Sequence, residues 1–324
     1  MMYPDNFCIR LPKPSDAPVM YRFSTMAKRG LTNVPKTMAS AETLIQKAQD
    51  SVHGVYPISN RLFTFVLEDL DAQAVVGMAG IKARTGIDRP VYAYIYHQNG
   101  PFPHLELSKT WHGPSELGGL FLSPNYRRFG IGRLLSLSRL LFVQRHRSVF
   151  TPIIGAELRG FLFKNNVSPF WNALGRQFIK KPFSYTERLV AMSVDDFEKR
   201  FPQKPVYTHL LPSRSVSYLQ QVHPFTVGAK KMLEGEGFSI TNRVDIFDGG
   251  PRVQAVTDRI RTVQYARSCR IVDLPSMDDP YIVCNHHTTD FRATRVLPGT
   301  SWATIAQRLG ISNTDTVTWV KERP

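Results

Sequence analysis

Cysteine is scarce in this sequence: Cys8, Cys269 and Cys284 are the only three among 324 residues, far apart and odd in number. That pattern fits reduced, buried thiols better than a disulfide framework or a zinc site. Long apolar runs are missing as well. No stretch reaches the length that spans a bilayer, and the opening Met1 to Pro14 carries Asp5, Arg10 and Lys13 without an apolar run, so neither a signal peptide nor an anchor is expected. These absences point to a cytoplasmic chain without a membrane partner. Two phosphate-binding fingerprints are also absent: there is no GxxxxGK[ST], and no GxGxxG follows a strand pattern.

Acidic residues are few, 26 against 41 Lys and Arg, which leaves a formal charge of +15 and a pI near 9.9. Such an excess asks for an anionic partner: nucleic acid, a membrane surface or a polyanionic cofactor. Between residues 120 and 190, twelve basic residues from Arg127 to Arg188 stand against only Glu157 and Glu187, a net of +10 in about a fifth of the chain. An excess centred on one structural unit favours a site over a nucleic-acid-binding arm. The aromatic residues lie mostly in apolar strands and helices rather than between basic residues on an exposed strand, so no nucleic-acid partner is expected. A catalytically silent nucleic-acid-binding scaffold is the alternative from another class.

The length and the 42% apolar composition favour two domains, placed at residues 1–190 and 191–324. The pattern predicts a strand around Phe7 to Leu11, a helix capped by Ser15 towards Met26, and a second helix capped by Ser40 through Val52. Strands follow at Leu62 to Leu67, Val75 to Ile81 and Val91 to Tyr96, and Pro101 and Pro103 read as loop. Ser115 to Leu122 is a buried strand stopped by Pro124, and Ile131 to Phe142 is an apolar helix. Thr151 to Leu158 is a strand, and Ser168 opens a helix ending near Gly175. In the second half, helices are expected after Ser193, around Val216, at Ala229 to Leu233 and at Trp302 to Leu309. Strands are expected at Val206 to Leu211, Ser239 to Phe247, Arg252 to Ala255, Tyr281 to Cys284, Thr294 to Leu297 and Thr316 to Val320. The fold class is therefore α+β, in two units.

The strand, the loop Arg127-Arg128-Phe129-Gly130-Ile131-Gly132 and the helix after it form the most informative stretch. Small residues there let the backbone turn tightly and approach an oxyanion, with the amides of Phe129 to Arg133 and the helix dipole directed at phosphate oxygens. The loop resembles the Arg/Gln-x-x-Gly-x-Gly/Ala loop of the GCN5-related N-acetyltransferase superfamily, in the strand-loop-helix setting that superfamily requires. The likeness then narrows. Ser115-Glu116-Leu117-Gly118-Gly119-Leu120-Phe121-Leu122, Ala156-Glu157-Leu158-Arg159-Gly160, Ser168-Pro169-Phe170-Trp171, Pro205-Val206-Tyr207-Thr208-His209, Val222-His223-Pro224 and Asp245-Ile246-Phe247-Asp248-Gly249-Gly250-Pro251 resemble, in order, the landmarks of the arginine N-succinyltransferase family. Gly30-Leu31-Thr32 with Pro35, and Phe291-Arg292, extend the resemblance over nearly the whole chain.

The resemblance implies two GCN5-related acyltransferase-like halves, each a mixed twisted sheet flanked by helices. The first would bind acyl-CoA, and the second would contribute to the acceptor site. It implies transfer of a succinyl group from succinyl-CoA to the α-amine of L-arginine in arginine catabolism, with the donor held by Leu120 and by Arg127, Arg128, Phe129, Gly130, Ile131, Gly132 and Arg133. The family's proton-donating histidine falls on His223. In that setting a bulge at Gly118-Gly119 would free a backbone amide to polarise the thioester carbonyl.

An α-amino pKa near 8 leaves about a tenth of the acceptor neutral at pH 7, so a modest base suffices, and Glu116 and Glu157 are the candidates. A guanidinium acceptor calls for a carboxylate in planar geometry, here Asp245 or Asp248, and a succinyl carboxylate calls for a cation, Arg159 or Arg252. Metal ligands are not expected, because the histidines lack ligand spacing. One cofactor per chain is expected, as is self-association or pairing with a related subunit. Two departures from the family keep ornithine, another amine or a different acyl donor open: Gly118-Gly119 replaces Cys-Thr, and Arg252-Val253-Gln254 follows Pro251.

Overall fold

A computed structural model of the chain describes residues 6–26, 34–128, 130–186, 189, 193–276 and 278–322. The Gly30-Leu31-Thr32 landmark and Phe129 lie outside the described residues.

The chain divides into two compact units, but not at residue 190. One gathers the described residues up to Ala83, Leu117–Pro152 and those from Val256 onward; the other gathers Arg84–Glu116 and Ile153–Ala255. The reason is strand pairing, which ignores chain order. In the first unit Phe7–Arg10 pairs antiparallel with Leu62–Asp69 on one side and with Arg292–Val296 on the other, Ile9 lying opposite both Leu67 and Ala293. The last part of the chain thus belongs with the first. In the second unit the hairpin Val91–His97 and His104–Thr110 pairs with Ser239–Val244 through Tyr94 and Ile95.

The sheet of the first unit runs Arg267–Arg270, Thr316–Lys321, Tyr281–Cys284, Arg292–Val296, Phe7–Arg10, Leu62–Asp69, Ala74–Lys82, Ser115–Leu122. Helices Ala17–Met26 and Met38–Val52 bury Met20, Phe23 and Ile45 against Val66, Met78 and Phe121. The helix Ile131–Arg145 is buried from Leu134 to Val143, and its Phe142 lies 4.8 to 5.1 Å from the rings of Phe63, Phe65 and Phe291. The sheet of the second unit runs Ile153–Glu157, Pro251–Val256, Ser239–Val244, Val91–His97, His104–Thr110, Val206–Tyr207. Its core is aromatic: Tyr94, Phe170, Trp171, Phe197 and Phe201, with Phe247 packed on them.

Most expected elements are present, and the differences have local causes. Thr37, not Ser40, caps Met38–Val52, because Thr37 and Ser40 exchange side-chain to backbone hydrogen bonds at 3.1 and 2.9 Å in a capping box. Ser15 caps nothing; Asp16 accepts from the Lys13 amide at 2.7 Å and ion-pairs with Arg10. The strand His104–Thr110 begins directly after the prolines that mark the loop. Val206–Tyr207 is only two residues long, since a 3-10 turn takes Thr208–Leu210.

The strand expected to reach Phe247 stops at Val244. Asp245 Oδ1 accepts from the amides of Phe247 and Asp248 at 2.7 and 2.8 Å, an Asx turn that folds the chain back, with Gly249 left-handed at φ +70. Burial, then the adjacent Asp248 charge, pushes the Asp245 carboxyl up to about 7. The stability contributed by its neutral form is complete below about pH 4 and is lost as pH rises through about 7. Asp245→Asn keeps the Oδ1 acceptor and removes the titration. Melting temperatures measured from about pH 4 to 8 should therefore show the Asn variant gaining on the parent as pH rises; a gap that does not change with pH would refute this account of the turn.

Candidate active site

In the first unit the strand Ser115–Leu122 leads through a 3-10 turn at Pro124–Tyr126 into the helix Ile131–Arg145. Gly119 adopts φ +61 inside the strand, a conformation other residues enter only with strain, and it kinks the backbone beside half-buried Leu120. Arg127 Nε donates to the Leu122 carbonyl at 2.9 Å, so this side chain ties the loop to the strand that precedes it. Arg127 and Arg128 are both exposed.

Gly130 holds φ +79 at the helix N-cap, and its carbonyl accepts from the amides of Arg133 and Leu134 at 2.9 and 3.1 Å. A Cβ on Gly130 would stand 3.2 Å from the Arg295 guanidinium, whereas one on Gly132 would meet only Leu122, at 3.7 Å. Position 130 therefore requires glycine; position 132 has room for alanine. Arg295 is held by both oxygens of Glu322 at 3.1 Å. This cation beside the loop was invisible in the sequence, because it arrives from the other end of the chain. Exposed arginines, a left-handed glycine and a helix N-terminus together suit a phosphate-bearing ligand.

The second unit brings Arg159, His223 and Asp248 together. The Arg159 carbonyl accepts from the His223 amide at 2.9 Å, and Gly160 bridges Val222. Asp248 is clamped from two sides: Oδ2 accepts from the Gly160 amide at 2.9 Å and Oδ1 from the Gly250 amide at 2.8 Å. Any Cβ on Gly160 or Gly250 would collide with the facing backbone. His223 caps the turn Pro224–Thr226, its Nδ1 accepting from the Phe225 amide at 3.2 Å. In the neutral ring this bond puts the proton on Nε2, so His223 presents Nε2–H as its donor. The Arg159 guanidinium, lowered in pKa by burial, donates to Asn166 at 3.2 Å through Nη2, while its buried Nε has no hydrogen-bond partner.

The two candidate bases sit elsewhere in this unit. Arg252, 5% exposed, lies between them, 3.5 Å from Glu116 and 3.2 Å from Glu157. Glu116 is buried and Glu157 exposed. Arg252 is thus already balanced by carboxylates, although its Nη2 makes no hydrogen bond; Arg159 pairs its guanidinium with Asn166 and leaves Nε without a hydrogen-bond partner.

Asp245 and Asp248, expected near a guanidinium ligand, spend three of their four oxygens on backbone amides, two on amides of the turn and Asp248 Oδ2 on that of Gly160. The histidines hold one surprise. Hairpin register sets His97 opposite His104, with Glu106 on the same face, and one ligand atom from each lies within 4.8 Å of the others. Chain spacing hides such a cross-strand group. His286 is hydrogen-bonded to Thr318 at 2.8 Å. No helix among the described residues is long and apolar enough to cross a membrane.

Residues 7–262 match the family model described as arginine N-succinyltransferase beta subunit. Proteins named arginine N-succinyltransferase from Citrobacter koseri and Escherichia coli K12 are each 33% identical to this chain, over 299 and 302 residues; these alignments cover 88% and 89% of the chain and 87% and 88% of the relatives. A solved structure titled arginine/ornithine succinyltransferase subunit AI from Pseudomonas aeruginosa is 26% identical and superposes with a TM-score of 0.86, covering 98% of this chain and 99% of that one. The α+β fold is accordingly that of this solved succinyltransferase subunit. Kinked strand, glycine loop and histidine turn all lie within the matched residues, and the chain belongs to the arginine N-succinyltransferase family.

Proposed function

We propose that this enzyme transfers the succinyl group of succinyl-CoA to the α-amine of L-arginine, giving N2-succinyl-L-arginine and CoA as a step of arginine catabolism. The observation that carries the proposal is the pair of left-handed glycines, Gly119 at φ +61 in the strand and Gly130 at φ +79 at the helix N-terminus. One re-aims a backbone amide and the other opens a phosphate cradle, which are the two things a CoA thioester needs from a protein backbone.

In this proposal Arg127, Arg128, Phe129, Gly130, Ile131, Gly132 and Arg133 hold the pyrophosphate, and Leu120 lies along the thioester. Attack of the neutral α-amine on the thioester carbon gives a tetrahedral oxyanion, and its collapse expels the CoA thiolate. His223 Nε2–H donates a hydrogen bond to the departing thiolate, which takes its proton from solvent, and the Phe225 amide fixes the tautomer. Glu157, being exposed, is the better placed of the two carboxylates to take the ammonium proton through solvent, with Glu116 buried behind Arg252. Arg159 directs its Nε to a substrate carboxylate, while Asp245 and Asp248 hold the Asp245 to Gly250 turn against Gly160. Ornithine is the second acceptor to test, because the solved Pseudomonas aeruginosa relative is titled for both amino acids. Pairing with a related subunit is proposed because the matching family is that of a beta subunit and the solved Pseudomonas aeruginosa relative is itself a subunit.

Thiol release from succinyl-CoA should require arginine or ornithine, and its absence with both would sink the proposal. His223→Ala should lower kcat on the order of 10²- to 10⁴-fold with CoA affinity nearly unchanged. Gly130→Val, forced into a strained φ against Arg295, should instead weaken CoA binding by roughly tenfold; calorimetric titration of CoA separates the two effects, and the assignments fail if both variants behave like the parent.

A further inference from the structure

Arg139 is the most confined charge in the first unit. It sits in the middle of the helix Ile131–Arg145 with 2% of its surface exposed, and no carboxylate among the described residues pairs with it. Burial alone lowers its guanidinium, to about 10, so it stays charged at neutral pH. A buried cation without a counter-ion is expensive. What it touches therefore matters.

All of its partners are oxygens of this unit. Nε donates to the Ser136 carbonyl at 3.3 Å and Nη2 to the Ser136 hydroxyl at 3.1 Å. Nη1 reaches two carbonyls, Gly80 at 3.3 Å and Gly118 at 3.4 Å. Gly80 and Gly118 lie on the neighbouring strands Ala74–Lys82 and Ser115–Leu122, so one nitrogen draws together a carbonyl from each. Gly118 is the residue immediately before the left-handed Gly119.

A trans peptide aims its carbonyl and its amide in opposite directions. Drawing the Gly118 carbonyl towards the helix therefore turns the Gly119 amide away from it. The φ of +61 at Gly119 then rotates the next peptide, which carries the Leu120 amide. We infer that Arg139 is a positioning residue for acyl transfer: by holding the Gly118 carbonyl, it fixes the kinked Gly118-Gly119-Leu120 backbone and so aims the amide that polarises the acyl donor. This rests on the proposed function, in which that strand receives the thioester. Arg139 does not touch substrate; it acts through the backbone.

The test uses Arg139→Met, which keeps length and removes charge, and Arg139→Lys, which keeps charge but offers a single nitrogen. The Met variant should fold with a melting temperature at or above the parent, since an unpaired buried charge is gone. It should bind CoA normally yet lose roughly 10- to 100-fold in kcat, with Lys recovering part of the loss. Infrared spectra of bound succinyl-CoA labelled with ¹³C at the thioester carbonyl should show that band shifting back towards its solution frequency in both variants. Equal loss of kcat, CoA affinity and melting temperature would mark a structural role only and overturn the inference. Should Met not fold, Lys alone decides it by the same band and by kcat. A crystal structure of whichever variant folds separates this inference from the function it rests on: an unmoved Gly118 carbonyl, with Gly119 still left-handed, overturns the role of Arg139 whatever the substrates prove to be. If the parent itself ignores succinyl-CoA, the proposed function fails while the rotated peptide would still stand.

Discussion

The second unit depends on one close approach of backbone to backbone. Gly160 and Gly250 pass where no Cβ fits, and the Asp248 carboxylate between them accepts an amide hydrogen from each. That clamp sets the height of the Arg159 to Gly160 turn, and through the Arg159 carbonyl and the Val222 bridge it sets the place of His223. A carboxylate that binds two amides is a rigid fastener, not a spare charge. The same residues that appear from their chemistry to await a cation thus build the platform on which the histidine stands.

Local signals in the sequence were legible where short-range physics decides the outcome. Strand Ser115–Leu122, strand Tyr281–Cys284 and helix Trp302–Leu309 fall at their expected bounds, because apolar pattern, proline and capping serine act within a few residues. The glycine loop was legible for the same reason. The division into units was not, since it rests on Phe7–Arg10 pairing with Arg292–Val296, a hydrogen-bond choice that no local pattern encodes. Arg295 beside Gly130 and Arg252 between two glutamates were hidden in the same way. The Asp245 to Gly250 motif was visible as a motif, but its turn chemistry emerged only when each oxygen was assigned a donor.

Charge shows how composition and placement differ. The basic stretch from residue 120 to 190 looked like one electrostatic field, yet its arginines do several separate jobs. Arg127 fastens the loop, Arg139 lies inside the helix layer, Arg147 pairs with Asp258 and Arg159 borders Asp248. Only part of the excess faces solvent, where it can draw an anionic ligand.

The interleaving of the two units along the chain also orders their formation in time. Every strand of the second unit's sheet has been synthesised by Val256, while the first unit still lacks the four strands from Arg267 to Lys321. Until those arrive, Phe7–Arg10 has an unsatisfied edge, and Ile9 and Cys8, both buried in the finished protein, stay open to other strands. During synthesis the nested unit can mature first, and its own pairing of Ile153–Glu157 beside Pro251–Val256 shortens the loop that the last pairing must close.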